Sequence, residues 1–106
     1  SDLVIEKDLT AGKLAEQIDA DELIILTSVE KVCLNHGKED EEELDTISVE
    51  QAKQYMDEGH FGIYNMLPKF QASVGFIEKK EGRSALITSF DTLKDALKGK
   101  TGTVIE

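Results

Sequence analysis

Short apolar runs alternate along this chain with segments whose apolar positions recur every three or four residues. Leu3, Val4 and Ile5 form a strand-length run that stops at Glu6-Lys7-Asp8, after which Ala11, Leu14, Ala15 and Ile18 share one helical face. Leu23, Ile24, Ile25 and Leu26 are continuously apolar, the pattern of a strand covered on both faces, and the run ends at Thr27-Ser28. Val32, Cys33 and Leu34 predict another short strand. Six acidic residues then fall within 39–45 and repel one another, which predicts an exposed loop or hairpin tip.

Ser48 with Gln51 three positions on is a capping-box pair, and it opens a helix carrying Val49, Ala52, Tyr55 and Met56 on one face up to Gly59. Residues 59–66 predict a loop. Pro68 suits the first turn of a helix that buries Phe70, Val74 and Ile77 and stops at Gly82. Residues 85–88 predict a strand, Asp91 a cap for a helix with Leu93, Ala96 and Leu97 inward, and 103–105 a last strand. This order implies an α/β fold, a three-layer αβα sandwich with a mostly parallel sheet, in one domain over residues 1–106. Ligands in such folds sit beyond the carboxyl ends of the strands. Three of those ends carry polar groups here, Lys7-Asp8, Thr27-Ser28 and Thr88-Ser89.

A formal net charge of -10 makes the surface a poor partner for a phosphate backbone, so nucleic-acid binding is not expected. A local positive pocket for a small phosphorylated molecule remains compatible with it. Cys33 is the only cysteine, so no intrachain disulfide is possible and a reducing, cytoplasmic setting is expected. No apolar run approaches the ~20 residues that span a bilayer, and Ser1-Asp2 does not open a signal peptide. His36 and His60 are read as structural or surface residues without ligand partners, Cys33 as a small buried hydrophobe, and no metal site is expected.

Lys69 stands at the start of a predicted helix, where the macrodipole is positive. Two readings are open: a solvent-facing lysine, or a cation that shares a bound phosphate with the helix N-terminus. Lys7 between Glu6 and Asp8 is either an exposed charged turn with Asp8 as a helix cap, or an ammonium group held in place by carboxylates. Two lysines with an organising carboxylate suit phosphoryl transfer, which needs neutralisation and positioning more than covalent help.

The chain resembles the amino-acid kinases, and within them the carbamate kinases, across nearly its whole length. The resemblance is carried by Val4-Ile5-Glu6-Lys7-Asp8-Leu9, Ile25-Leu26-Thr27-Ser28-Val29-Glu30 and Leu34-Asn35-His36-Gly37-Lys38. It continues through Glu58-Gly59-His60-Phe61, Met66-Leu67-Pro68-Lys69, Gly82-Arg83, Ile87-Thr88-Ser89 and Gly102-Thr103. It implies a homodimeric enzyme of arginine breakdown that moves a phosphoryl group between carbamoyl phosphate and ADP, giving ATP, with Mg²⁺ accompanying the nucleotide. By the same resemblance Lys7 and Lys69 contact the transferring phosphates and Asp8 positions active-site lysines. The resemblance also implies that Thr27, Ser28, Val29, Val32, Met66 and Lys69 line the nucleotide pocket.

Several positions depart from the family pattern where nucleotide and phosphate are expected. Glu6 and Ser28 each stand in place of a usual aspartate, Cys33 in place of an aromatic residue, and Ile63-Tyr64-Asn65 in place of a loop with proline, glycine and serine. The family's glycine-rich N-terminal half, which supplies the carbamoyl-phosphate side of the cleft, has no counterpart in this sequence. Negligible kinase activity is therefore expected of the chain alone, since aligning two substrates can supply roughly 7–11 kcal/mol. Association with such a half, or a non-catalytic nucleotide-binding or regulatory subunit, are the alternatives. A kinase for acetylglutamate or a nucleoside monophosphate is disfavoured by Met66-Leu67-Pro68-Lys69.

Overall fold

The computed structural model describes residues 2–7 and 19–106. The strands are β1 (Leu3–Glu6), β2 (Glu22–Thr27), β3 (Cys33–Leu34), β4 (Glu42–Glu43), β5 (Thr46–Ile47), β6 (Ser84–Ser89) and β7 (Thr103–Ile105). The helices are α1 (Val49–Asp57), α2 (Met66–Glu78) and α3 (Leu93–Leu97). The predicted helix at 11–18, and Asp8, lie outside the described residues.

A five-stranded sheet runs in the order β1-β2-β6-β7-β5, and β3-β4 form a separate hairpin. β1, β2 and β6 are parallel, with Glu6 opposite Ile25 and Thr27 opposite Ser89. β7 is antiparallel to β6, with Ala85 opposite Ile105, and β5 pairs parallel to β7. The sheet is thus mixed and mostly parallel, as expected, with a reversal at β7 that apolar patterning does not encode.

The continuous apolar runs are explained by burial on both faces. Leu23, Ile25, Ala85, Ile87 and Ile105 pack with Ala52 of α1 and with Phe70, Val74 and Phe76 of α2. The intervening Ile24, Leu26 and Leu86 pack with Leu93 and Ala96 of α3. Adjacent strand residues point to opposite faces, so an unbroken apolar run serves two layers of helix at once.

Local signals place α1 well. The Ser48 hydroxyl accepts from the Gln51 N–H at 3.0 Å, and the Gln51 side chain accepts from the Ser48 N–H at 2.9 Å. Two of the first-turn and cap donors are thereby satisfied. α2 stacks Phe70 on Phe61 at 3.9 Å between ring centroids. At its other end the Arg83 guanidinium lies 4.2 Å from the Phe76 ring centre and donates to the Phe76 carbonyl at 3.0 Å. That contact ties the end of α2 to the entry of β6, so α2 runs back against β6 and its first turn lies towards the carboxyl edge of the sheet.

α3 differs from expectation. Its cap is Thr92 rather than Asp91, and the Thr92 hydroxyl is engaged by Thr88 and Ser89 instead of the helix backbone. With only five residues, α3 turns Ala96 inward and leaves Leu97 half exposed, correcting the reading that Leu97 is buried.

Candidate functional site

At the carboxyl edge the chain leaves β2 at Thr27, and hydroxyl groups of β6, β7 and the turn before β7 pin the segment that follows. The Thr88 hydroxyl donates to the Glu30 carbonyl at 3.1 Å, and the Thr101 hydroxyl donates to the Glu30 carboxylate. The Thr103 hydroxyl accepts from the Val32 N–H at 2.9 Å and donates to the Leu44 carbonyl at 2.6 Å. A backbone segment held this way becomes a rigid wall rather than a loose crossover.

The opposite wall comes from the stretch between α1 and α2. Phe61 and Met66 are buried there, while Ile63 and Tyr64 are exposed. Tyr64 and Asn65 both adopt left-handed backbone, at φ 56° and 55°. The chain keeps a path that favours glycine, although neither residue is glycine. Between the two walls lies a cleft of about 340 Å³, near the lower end of small-ligand sites, with Val29, Val32, His60, Phe61 and Met66 among its lining. The β3–β4 hairpin closes one side, where the His36 ring meets the Tyr64 ring edge-on at 5.5 Å between centroids.

Lys69 sits in the first turn of α2 and folds back along the loop, its amine donating to the carbonyls of Tyr64 at 3.0 Å and Asn65 at 3.3 Å. Burial pushes its pKa below the usual lysine value. Its charge is met by carbonyl dipoles, at a helix start that Asn65 does not cap with its side chain. Cation, helix terminus and open backbone donors together favour an anion.

Of the residues named from the sequence, Val29, Val32 and Met66 line the cleft. Thr27 ends β2 and Ser28 is exposed just beyond it, at the edge where Lys7 follows β1. The parallel registers and the direction of α2 thus put Lys7, Thr27 and Lys69 at one rim of the sheet.

Other lining residues were not anticipated. Cys33, His36 and Glu41 stand together, each offering a donor atom within 4.8 Å of the others. His36, read from the sequence as having no cysteine partner at ligand spacing, thus has Cys33 and Glu41 beside it. The C-x-x-H spacing of Cys33 and His36 was the available signal. Burial, and then the charges of Glu41 and Glu43, push the Cys33 thiol pKa up. Among the described residues no helix is long and apolar enough to cross a membrane.

Comparison with known proteins agrees with this architecture. The chain is 52% identical over 102 residues to the carbamate kinase-like protein YqeA of Escherichia coli, covering 96% of this chain and 33% of that protein. It is 47% identical over 105 residues to carbamate kinase 3 of Staphylococcus aureus, covering 99% of this chain and 34% of that one. The chain spans about a third of the length of these relatives. Among solved structures, carbamate kinase from Giardia lamblia bound to AMP-PNP superposes with a TM-score of 0.82 at 40% identity, over 96% of this chain and 32% of that one. The family model for the amino acid kinase family matches residues 2–89. By that match and the shared α/β fold, the chain belongs to the amino acid kinase family.

Proposed function

We propose that this chain forms the nucleotide-holding part of a carbamate kinase-like phosphotransferase, which exchanges a phosphoryl group between carbamoyl phosphate and ADP in the cytoplasm. The observation that carries the reading is the rim where the pinned 28–32 segment faces the start of α2 across the cleft, with Lys69 folded over that start. The adenine side of ADP packs against Val29, Val32 and Met66, and its phosphates extend to the first turn of α2 and to Lys69. Lys7 approaches the same phosphates from the end of β1, and the resemblance assigns Asp8 the role of organising the active-site lysines. Mg²⁺ enters as part of the nucleotide substrate. These roles require positioned positive charge, which a preorganised helix start and two ammonium groups supply at low reorganisation cost.

The carbamoyl-phosphate side of the cleft comes from surface beyond these 106 residues, whether from the rest of a longer protein or from an associated subunit, and the assembled enzyme is a homodimer acting in arginine breakdown. The chain alone therefore gives negligible ATP from carbamoyl phosphate and ADP. A second reading, a nucleotide-binding regulatory subunit, is favoured by Tyr64, whose side chain lines the cleft where the family carries a small-residue loop.

Titration of the chain with ADP and Mg²⁺, followed by backbone amide shifts, tests the proposal. Shifts centred on Lys7, Thr27, Val32 and Lys69 are expected. No response at millimolar nucleotide would rule out both readings. A nucleotide response combined with no turnover, even after the remainder of a carbamate kinase is supplied, would select the regulatory one.

A further inference from the structure

We propose that Cys33, His36 and Glu41 form a binding site for a thiophilic divalent cation, best matched by zinc, at the tip of the β3–β4 hairpin. A thiolate, an imidazole and a carboxylate are all established zinc donors, whereas magnesium and calcium select oxygen alone. Zinc bond lengths of about 2.0–2.3 Å in tetrahedral geometry set donor spacings of roughly 3.3–3.8 Å. His36 Nδ1 already stands 3.1 Å from a Glu41 carboxylate oxygen, and all three donors lie within 4.8 Å of one another. The donors therefore need only adjust from these separations to the tetrahedral spacings, a change on the scale of side-chain rotation.

The hairpin itself brings the donors together. Cys33 is in β3, opposite Glu43 of β4. The turn between them reverses through left-handed Asn35 and Gly37, at φ 54° and 77°. It is closed by the Lys38 N–H donating to the Asn35 carbonyl at 3.0 Å, and by the Glu41 N–H donating to the Lys38 carbonyl at 3.1 Å. The Asn35 side chain also donates to Asp40 at 3.1 Å. Cys33, His36 and Glu41 are thus delivered by one short, internally bonded segment.

The electrostatic setting favours a cation. Glu41 and Glu43 face the thiol, while the neighbouring Lys31 amine is engaged by Asp45 at 2.6 Å. The same carboxylates that oppose a bare thiolate attract a divalent ion, and coordination deprotonates the thiol outright. Three protein ligands leave a fourth position, and all three residues are among the lining of the cleft. The inference rests on the hairpin alone and does not require that nucleotide binds.

The test uses the full chain, metal-free and without nucleotide, titrated with Co²⁺. A thiolate-to-cobalt charge-transfer band in the near ultraviolet and intense visible bands of a four-coordinate ion are expected, saturating at one ion per chain and displaced by Zn²⁺. Cys33→Ser abolishes the charge-transfer band. His36→Ala and Glu41→Gln, both at exposed positions, each weaken Zn²⁺ binding by at least the roughly 10- to 100-fold that losing only a hydrogen-bond partner of a ligand costs, with circular dichroism unchanged from the parent. Absence of a thiolate band in the parent would overturn the proposal. So would Zn²⁺ affinity that stays the same in Cys33→Ser and His36→Ala, since the acidic surface alone would then account for binding.

Discussion

Replacing Thr103 by valine isolates the hydrogen bonds that hold the cleft wall to the sheet. Thr103 is fully buried, and its hydroxyl accepts from the Val32 N–H and donates to the Leu44 carbonyl, at 2.9 and 2.6 Å. Valine fills the same volume but leaves both backbone groups without that partner, at a cost of about 1–3 kcal/mol for each buried group. Some of this is offset because the hydroxyl itself no longer needs desolvating, giving a net loss of about 2–4 kcal/mol. Such a loss is a large share of the roughly 5–15 kcal/mol that holds a domain folded. With a urea m-value of about 1–3 kcal/mol/M, the unfolding midpoint falls by about 1 M or more. Thr103→Ser is the control: it keeps both hydrogen bonds and loses only a buried methyl, at about 1 kcal/mol. Equilibrium urea unfolding of the three proteins, together with amide exchange at Val32, reads the effect. If Thr103→Val is as stable as Thr103→Ser, and its Val32 amide exchanges no faster, the pinning argument is wrong.

Gly102→Ala tests the close approach of the turn before β7, since an added Cβ meets Leu86 Cδ1 at 2.8 Å and Ala96 Cβ at 3.2 Å at a φ of +87°. Left-handed strain and overpacking combine to about 2–4 kcal/mol of destabilisation in thermal or urea unfolding, and a loss below about 0.5 kcal/mol would contradict it. Lys69→Met tests the desolvated ammonium. Burial lowers the Lys69 pKa in the folded chain, so between that lowered value and 10.5 the unfolded chain holds more protons. Stability of the parent relative to Lys69→Met therefore rises as pH climbs through that window, measured as the difference in urea unfolding free energy. A difference that stays flat, or falls, with rising pH would refute this.

Elements whose cause is local were legible in the sequence. The apolar runs of β2 and β6 announce strands buried on both faces, and Ser48 with Gln51 announces the start of α1, because both depend on residues a few positions apart. The carboxyl rim carrying Lys7 and Thr27 followed from the alternation of strands and helices, since parallel strands must end on one side. The short α3 misled because Asp91 has the chemistry of a cap, whereas the helix starts one residue later at Thr92, whose hydroxyl bonds back to Thr88 and Ser89 at the end of β6. The reversal at β7, the wall at Val32 and the cleft it bounds were decided only by the tertiary structure. Their contacts join Val32 to Thr103 across 71 positions and Leu44 to Thr103 across 59, and no periodicity within a segment encodes such a pairing. The Cys33, His36 and Glu41 cluster lies between these cases: its spacing is visible in the chain, but the left-handed turn that folds the donors together is a property of the folded hairpin.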